Sequence, residues 1–516
     1  MPFSNEVTYV KFSESNRLKE FDTLYEKACE ESKKFIGKEY PNLVNGEIFE
    51  KAKLNHISPV DEKSIGTFQA GSKESADKAL EVLKKGQKKW FNIGHVERAR
   101  IFLKAADLIS RDKFLISALL ALENGKNRTE AMADVDEGID FLRYYALNLI
   151  ENNGFVRFTG KGYKNEESMS YMKPYGVFAV IAPFNFYAIT VGMVAGPLIV
   201  GNSVLLKPSS DIPLTSYLYV KTLYEAGVPK ENLAFISGKG SELGPHITSH
   251  KLVSGILFTG SRNAGMSIYR NANSENPKVV ITEMGGKDTI TVTKKADLEK
   301  AANGVYRAAF GYSGQKCSAC SIAYIESSVY DVFLKKLKEK TDSLVVGDPM
   351  RAETFLGPVI NKDAVEKYKE ATEIATKEGK VVSGGEILHK PGNYVKPTIV
   401  TDLPRNSMII KEELFLPFLA VVKVQTLDEA IERINESEYG LTGGIFTEDQ
   451  NEIEKFFDSV EVGTVYANRE RGGSTGAMVG SQPFVGWKMS GISGKGTGSF
   501  YYLQQFLREQ SQTIAH

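Results

Sequence analysis

The spacing of apolar residues along the chain changes near residue 175. Upstream, apolar positions recur every three or four residues. Ala76, Ala79, Leu80 and Leu83 fall on one helical face after Ser72, a favourable N-cap, and similar periodicity covers 96–122 and 129–150. Downstream, helical stretches such as 214–226 alternate with short apolar runs at 177–182, 203–206, 233–236 and 255–258. This alternation predicts βαβ units in a parallel sheet that is covered on both faces.

A second block of the same kind follows residue 283. Its predicted helices lie near 296–310, 328–342, 362–378 and 427–436, and its predicted strands near 320–326, 396–400 and 418–424. A chain of 516 residues exceeds one ordinary core, so the two blocks predict two α/β domains. The Gly- and Ser-rich segment 471–499 contains Met, Phe and Trp residues that a solvated linker does not need, which favours an ordered loop lining a cavity.

Charge and cysteine content narrow the possible functions. The chain has 64 basic and 64 acidic residues, so it has no net positive charge that would attract nucleic acid or an anionic membrane. Residues 176–206 carry no charge and could cross a bilayer, but Pro183 and Pro197 interrupt them, which favours buried strand, loop, helix and strand. Three cysteines cannot form a disulfide framework, and the N-terminus lacks a secretory or transit pattern. We therefore expect a reducing compartment, the cytoplasm.

Cys317 is the first candidate for a chemical role. It follows a turn that exposes backbone, and Lys316 places a positive charge beside the sulfur, which favours the thiolate. The alternatives are a buried apolar residue, a zinc ligand, or a redox pair with Cys320. Zinc would need a second pair of ligands, and only Cys29 and six scattered histidines remain, so no metal is expected. A nucleophile is the preferred interpretation.

Glu283 is the candidate for a general base. It ends the apolar run 279–282 and precedes Gly285 and Gly286. Burial at a strand end would raise the pKa of this carboxyl toward the range useful for a base, whereas the alternative is a structural salt bridge with Lys287. A thiolate that attacks a carbonyl and a carboxylate that activates water to release the acyl group are the pair that covalent acyl transfer needs.

Three further segments could serve a dinucleotide and an oxyanion. Residues 258–265 predict a strand, a glycine turn and a helix start, where Gly260 and Gly265 would allow close approach of a pyrophosphate. Another strand leads into Lys207, whose ammonium can reach ribose hydroxyls. Asn185 supplies an amide donor in an apolar loop. Each of these segments could alone be an ordinary turn.

Six segments resemble the aldehyde dehydrogenase superfamily in order and spacing, and the resemblance spans about residues 40–509. The segments are Pro183-Phe-Asn-Phe186, Lys207-Pro-Ser209, Phe258-Thr-Gly-Ser261, Glu283-Met-Gly-Gly-Lys287, Gly314-Gln-Lys-Cys317 and Glu412-Glu-Leu-Phe415. The resemblance implies an α/β fold with a Rossmann-type dinucleotide-binding domain, an α/β catalytic domain and a small β oligomerisation extension. The first would comprise 1–150 and 173–282 with part of 460–488, the second 283–459, and the third 151–172 and 489–516.

The resemblance also implies roles for single residues. Cys317 would be the nucleophile and Glu283 the base for thioester hydrolysis, and Asn185 and the Cys317 backbone N–H would form the oxyanion hole. Ser318 and the backbone at Gly476 and Ala477 would bind the substrate's α-carboxylate, while Phe186 and Phe484 would enclose its methylene chain. The cofactor would be NAD, with NADP possible, and the residues assigned to it are Lys207, Ser209, Gly260, Ser261, Gly265, Glu413 and Phe415.

Three segments resemble one group within the superfamily, the 1-pyrroline-5-carboxylate dehydrogenases, which oxidise L-glutamate γ-semialdehyde with NAD. The segments are Gln315-Lys-Cys-Ser-Ala319, Glu123-Asn-Gly-Lys126 and Ser474-Thr-Gly-Ala477. The implied partners are a small aldehyde and further copies of the chain, as a dimer or an assembly of dimers.

Some positions depart from the family pattern. Ser210 replaces the acidic residue usual in NAD-preferring members, and Arg469 and Arg471 add two cations near the expected carboxylate site. Three alternatives are open. The substrate could be another semialdehyde or an aliphatic aldehyde, the chain could be an inactive structural or binding homologue, or the acyl group could pass to coenzyme A. Glu283 argues against coenzyme A, because that route needs no water-activating base.

Overall fold

The computed structural model describes residues 3–273, 277–471 and 478–516. Its helices are α1 (Thr8–Glu14), α2 (Leu18–Ser32), α3 (Lys73–Asn92), α4 (His95–Asn124), α5 (Arg128–Glu151), α6 (Tyr187–Ile199), α7 (Pro213–Ala226), α8 (Gly240–Ser249), α9 (Arg262–Ala272), α10 (Leu298–Phe310), α11 (Tyr330–Asp342), α12 (Lys362–Glu378), α13 (Met408–Lys411), α14 (Leu427–Asn435) and α15 (Gln450–Ser459).

The strands belong to two large and three small sheets. They are β1 (Lys38–Tyr40), β2 (Asn42–Leu43), β3 (Glu47–Ile48), β4 (Lys53–Ile57), β5 (Ser64–Gln69), β6 (Val156–Gly160), β7 (Glu166–Pro174), β8 (Val177–Ile181), β9 (Ser203–Lys207), β10 (Leu233–Phe235), β11 (Gly255–Gly260), β12 (Val279–Met284), β13 (Asp288–Val292), β14 (Cys320–Glu326), β15 (Lys380–Ser383), β16 (Thr398–Thr401), β17 (Phe418–Val424), β18 (Tyr439–Gly440), β19 (Thr442–Phe446), β20 (Thr464–Ala467), β21 (Trp487–Lys488) and β22 (Leu507–Ala515).

The first large sheet has the order β12-β11-β8-β9-β10-β2-β3, and its strands from β12 to β10 run parallel. Alternate residues of β8 face opposite helical layers, as a buried parallel strand requires. Phe178 and Val180 join the core formed with α4 to α7, whereas Val177 and Ala179 join the core formed with α3 and α8. The predicted parallel sheet covered on both faces is therefore confirmed. Ser72 caps α3 as expected, in a reciprocal pair with Ser75.

The second large sheet has the order β15-β16-β17-β14-β13-β19-β20. We expected part of 460–488 to belong to the first domain; Val479 packs in the core of that domain, whereas β20 does not belong to it. β20 pairs with β19 along Thr442 to Ile445, so it extends the second sheet. No continuous apolar run marked β20, because its residues alternate between buried and half-buried.

A three-stranded sheet of order β22-β7-β6 forms the expected extension. The extension is smaller than the predicted 489–516, because residues Tyr502–Phe506 form a short 3₁₀ helix whose side chains pack in the core of the first domain. Within the described residues, no helix combines the length and the apolar character needed to cross a bilayer.

The two large sheets meet end to end. β12 ends the first sheet at Met284, and β13 opens the second sheet at Asp288 after a linker of three residues. The carboxyl end of the first sheet therefore faces the amino end of the second, where residues 317–319 lead into β14. In the first sheet, the chain proceeds from β8 outward to β9 and β10 and then returns to place β11 on the other side of β8. Such a switch point opens a crevice at the strand carboxyl ends, where parallel sheets bind ligands.

Candidate active site

A cavity of about 760 Å³ lies at this switch point. It is large enough for a dinucleotide-sized ligand. Its walls come from the loops after β8, β9, β11 and β12, and from the residues around 408–415 and 439. Among the residues expected from the sequence, it brings together Asn185, Ser209, Gly260, Ser261, Cys317, Glu413 and Phe415.

The loop that presents Cys317 has a strained backbone. Tyr312, Ser313 and Gly314 have consecutive φ values of 49°, 53° and 68°, in the left-handed region that non-glycine residues rarely adopt. A Cβ at Gly314 would lie 2.1 Å from the carbonyl oxygen of Leu416, so only glycine fits there. The Ser313 hydroxyl donates to the carbonyl of Gly357 at 2.7 Å. Strain that surrounding bonds maintain is typical of functional sites.

Lys316 does not activate Cys317 in this structure, which corrects the expectation from the sequence. Its Nζ atom forms an ion pair with Glu130 Oε1 at 2.5 Å. Burial, together with the carboxylates of Asp288, Glu413 and Glu283, holds the pKa of the Cys317 thiol well above its usual range. The positive charge that would favour the thiolate therefore has to come from elsewhere.

Glu283 lies at the end of β12, and its carboxylate is close to the hydroxyl of Thr497. Its carboxylate accepts a hydrogen bond from Thr497 Oγ1. Burial raises the pKa of Glu283 to about 7, although the Thr497 hydroxyl opposes this shift. The expected range for a general base is therefore reached. Among the described residues Glu283 forms no ion pair with Lys287, whose Nζ donates to the carbonyl of Glu412 at 2.9 Å.

Backbone contacts connect Glu283 with Cys317. The linker between β12 and β13 passes close to the backbone of Cys317. Gly286 makes this possible, because a Cβ at that position would lie 2.6 Å from the carbonyl oxygen of Cys317. Phe484 and Leu441 form a small apolar cluster against which Cys317 packs, and Phe484 exchanges two backbone hydrogen bonds with Thr497, at 3.1 and 2.8 Å. Thr497, which hydrogen-bonds to the carboxylate, is therefore linked to the cluster that packs against the thiol.

Hydrogen bonds hold both the side chain and the backbone carbonyl of Asn185. Its side-chain Nδ2 donates to the carbonyl of Gln315 at 3.2 Å, and its own carbonyl accepts from Lys126 Nζ at 2.7 Å. Lys126 is fully buried and forms an ion pair with Asp134 at 2.7 Å, and Asp134 also accepts from the backbone N–H groups of Tyr187 and Ala188 at the start of α6. An amide nitrogen carries two hydrogens, so the second hydrogen of Asn185 can serve an oxyanion in the cavity.

The expected cofactor residues occupy different parts of the crevice. Lys207 ends β9 with its Nζ donating to the carbonyl of Pro208 at 2.8 Å, and burial lowers its pKa to about 8. Ser261 caps α9 through a hydrogen bond from the Ala264 N–H. Gly265 instead lies against Met284, because a Cβ there would be 2.6 Å from the Met284 sulfur. Its small size thus serves helix-to-strand packing.

Glu413 and Phe415 form the opposite wall. Glu413 Oε1 accepts from the backbone N–H of Gly286 at 3.1 Å, and burial raises the pKa of this carboxyl to about 7. Phe415 has a φ of 60° and packs edge-on against Phe184, with ring centroids 5.7 Å apart. The carboxylate is therefore oriented before any ligand binds.

Two of the expected substrate residues lie near Cys317. Ser318 is buried beside it in the sequence, and Phe484 forms with Leu441 the cluster against which Cys317 packs. Lys126 Nζ lies 3.9 Å from the ring centroid of Phe186. Gly476 and Ala477 lie outside the described residues.

Sequence reasoning missed several residues that the structure places near this site. Thr497 is one, and Glu137 on α5 is another. Glu137 is half-buried, its pKa is raised to about 8 by burial, and its charge acts on Tyr145 together with that of Glu283. Helical periodicity marked α5 as an ordinary amphipathic helix, so no local signal distinguished this carboxylate.

Comparison with known families agrees with this geometry. The model of the aldehyde dehydrogenase family matches residues 48–511. The chain belongs to the aldehyde dehydrogenase family. A 1-pyrroline-5-carboxylate dehydrogenase from Geobacillus sp. (strain WCH70) is 40% identical over 499 residues, which is 95% of each chain. A second relative, 1-pyrroline-5-carboxylate dehydrogenase 2 from Bacillus subtilis (strain 168), is 39% identical and covers 100% of this chain and 99% of its own length.

Solved structures of the family have the same fold. A Thermus 1-pyrroline-5-carboxylate dehydrogenase with bound NAD matches with a TM-score of 0.94 at 35% identity, covering 100% of this chain and 99% of that one. The Staphylococcus aureus betaine aldehyde dehydrogenase in complex with NAD⁺ matches with a TM-score of 0.88 at 27% identity, over 94% of this chain and 95% of that one. The expected fold class and family are therefore confirmed.

Proposed function

We propose that this chain oxidises L-glutamate γ-semialdehyde to L-glutamate with NAD, through a covalent intermediate on Cys317. One observation carries the proposal: the cavity at the dinucleotide switch point is lined by Cys317, Asn185 and Glu413 together. The sequence similarity to 1-pyrroline-5-carboxylate dehydrogenases along the full chain supports the substrate. Another semialdehyde or an aliphatic aldehyde is the alternative.

The reaction follows from the positions of the side chains. The Cys317 thiol releases its proton to solvent and the sulfur bonds to the aldehyde carbon, while the carbonyl oxygen, which becomes an oxyanion, accepts a hydrogen bond from the second amide N–H of Asn185. NAD, when bound, supplies the hydride acceptor and a positive charge on its ring. Loss of hydride from the tetrahedral carbon leaves a thioester on Cys317.

Hydrolysis of the thioester is the step assigned to Glu283. The carboxylate takes a proton from water, the water oxygen bonds to the acyl carbon, and the carbon–sulfur bond breaks to regenerate the thiolate. With its pKa raised to about 7, Glu283 is a stronger base than an ordinary carboxylate and still ionises near neutral pH. Such a base supports release of a free acid over transfer to coenzyme A.

The residues present fit a dinucleotide. Glu413 has one oxygen committed to the Gly286 N–H, which leaves the other available for a ribose hydroxyl. Lys207 has one donor committed to Pro208, and Ser261 opens the N-terminus of α9, where backbone N–H groups favour a phosphate. Asp211 follows Ser210, and in its ionised form it would repel a 2′-phosphate and support NAD over NADP; burial raises the pKa of this carboxyl above its ordinary value.

Arg469 and its neighbour Glu470 have contacts within the protein. The guanidinium of Arg469 lies 5.8 Å from the ring centroid of Tyr466, and Glu470 accepts from Asn303 Nδ2 at 2.8 Å. These contacts support a structural role for Arg469, and the substrate carboxylate remains assigned to Ser318 and residues 476–477.

The three-stranded extension supports assembly of the chain into a homo-oligomer. β22 pairs with β7 along one edge only, and Ile514, Phe158 and Tyr163 are exposed apolar side chains of this small sheet and its connecting turn. An open strand edge with exposed apolar groups favours pairing with another chain. Light scattering of the purified protein tests this, since a monomer at micromolar concentration would contradict it.

The cysteines support a location in the cytoplasm. Cys29, Cys317 and Cys320 are unpaired, which suits a reducing compartment.

A substrate panel tests the proposed activity. Purified protein is assayed for NADH or NADPH production with glutamate semialdehyde, succinate semialdehyde and propanal. We expect kcat/KM to be greatest with glutamate semialdehyde and NAD. Equal efficiency with propanal, or a preference for NADP, would contradict the assignment of substrate or cofactor.

A further inference from the structure

Residues 3–8, the N-terminal segment, lie along α5 and hydrogen-bond to two of its buried carboxylates. Thr8 donates to Asp136 through its backbone N–H at 2.6 Å and its hydroxyl at 2.8 Å. Asp140 accepts from the backbone N–H of Glu6 at 2.8 Å and from Asn5 Nδ2 at 3.0 Å. Buried carboxylates need such donors, so this segment is bound to α5 and is not a free terminus.

Asn5 makes a second contact that leads toward the active site. Its Nδ2 also donates to the carbonyl oxygen of Val479 at 3.0 Å. Phe3 completes the contact: its ring packs edge-on against Tyr144 at 5.2 Å, and a Cβ at Gly480 would lie 3.2 Å from it. The N-terminal segment therefore contacts both α5 and the loop of residues 478–484.

The 478–484 loop ends at the catalytic residues. Met478 and Gln482 exchange backbone hydrogen bonds of 3.1 and 2.8 Å, which makes the loop a tight turn. Its last residue, Phe484, belongs with Leu441 to the cluster against which Cys317 packs, and it pairs with Thr497, which hydrogen-bonds to Glu283. These contacts connect Asn5 with the nucleophile and the base.

We propose that the N-terminal segment positions the 478–484 loop over the substrate end of the site, with Asn5 as its positioning residue. The inference rests on the proposed function, because it assigns this loop to aldehyde binding. Fixing a loop in advance removes the conformational entropy that substrate binding would otherwise have to offset. The residues assigned to the cofactor, such as Ser261 and Glu413, line the cavity without a contribution from 478–484, so we expect cofactor binding to be unaffected.

The test compares Asn5→Ala and Asn5→Asp with Arg17→Ala. Asn5→Asp keeps the side-chain shape but replaces a donor by an acceptor that faces the Asp140 carboxylate and the Val479 carbonyl. Arg17 belongs to the same end of the chain, but its guanidinium forms an exposed ion pair with Glu20 and lies 5.1 Å from the ring centroid of Phe12 instead of contacting Val479, so it is the matched control.

Two measurements are made on each full-length variant. We expect KM for glutamate semialdehyde to rise about three- to tenfold in Asn5→Ala and further in Asn5→Asp, while kcat and KM for NAD stay within about twofold. Hydrogen exchange of backbone amides in residues 478–484 should accelerate in both variants and remain unchanged in β12. Arg17→Ala should match the wild type in both measurements.

A loss of thermal stability without a change in KM or in exchange at 478–484 would mean that the segment is merely structural, and would overturn the proposal. Equal increases in both KM values would overturn it as well. If the wild type does not oxidise glutamate semialdehyde, the proposed function fails, and the exchange measurement, which needs no substrate, still decides whether the segment holds the loop.

Discussion

Replacing Glu283 by Gln separates the two halves of the proposed reaction. The amide keeps the size of the side chain and can still accept the Thr497 hydrogen bond, so the fold should be unchanged. It cannot take a proton from water. Acylation of Cys317 and hydride transfer should therefore proceed, whereas release of the acyl group should become slow.

The size of the effect follows from the role of a general base. Such a base typically contributes about 10²- to 10⁴-fold in rate, or about 3–5 kcal/mol in activation free energy. Rapid mixing of Glu283→Gln with NAD and glutamate semialdehyde should give a burst of about one NADH per active site, followed by a steady rate reduced by that factor. Glu432→Gln, an exposed glutamate on α14, is the control and should behave as wild type.

The pH dependence of the deacylation rate is a second test of Glu283. The base is active when ionised, and its pKa is raised to about 7, so wild-type deacylation should be slow below pH 6, rise through pH 7 and level off above pH 8. The variant should lose this dependence. A steady-state rate of Glu283→Gln within tenfold of wild type, or an unchanged pH profile, would refute the assigned role.

Three more substitutions test neighbouring contacts. Thr497→Val removes a hydrogen bond that lowers the pKa of Glu283, so the midpoint of the deacylation profile should move to higher pH; no movement would remove Thr497 from this role. Glu413→Gln keeps an acceptor for the Gly286 N–H, and KM for NAD should rise about tenfold with little change in KM for the aldehyde, whereas the opposite pattern would place Glu413 on the substrate. Ser318→Ala should raise KM for the semialdehyde, and an unchanged KM would exclude the hydroxyl from carboxylate binding.

Local periodicity and motif order were sufficient for most of the architecture. The segments 362–378, 320–326 and 418–424 match α12, β14 and β17 residue for residue, because each is a continuous pattern bounded by loop residues. Cys317 was found because it follows a turn that exposes backbone, and Asn185 because it supplies an amide donor in an apolar loop, whereas Glu413 was assigned through the resemblance to the aldehyde dehydrogenase superfamily; the cavity brings all three together.

Long-range partners could not be predicted in the same way. Lys316 stands next to Cys317 in the sequence, yet it pairs with Glu130, a residue 186 positions away. Thr497 and Asn5 have no local pattern that links them to the site, and only the folded chain brings them to Glu283 and Val479. Adjacency along the chain identifies candidates, but the charge around a thiol depends on tertiary contacts.

Covalent capture of the acyl group tests the central claim most directly. The Glu283→Gln variant is mixed with NAD and glutamate semialdehyde and quenched in acid during the slow phase. It is then digested with a protease, and the masses of the cysteine-containing peptides are measured by mass spectrometry. The account predicts an added glutamyl mass on Cys317 and none on Cys320 or Cys29. A modified Cys320, or NADH formation without any acylated cysteine, would contradict it.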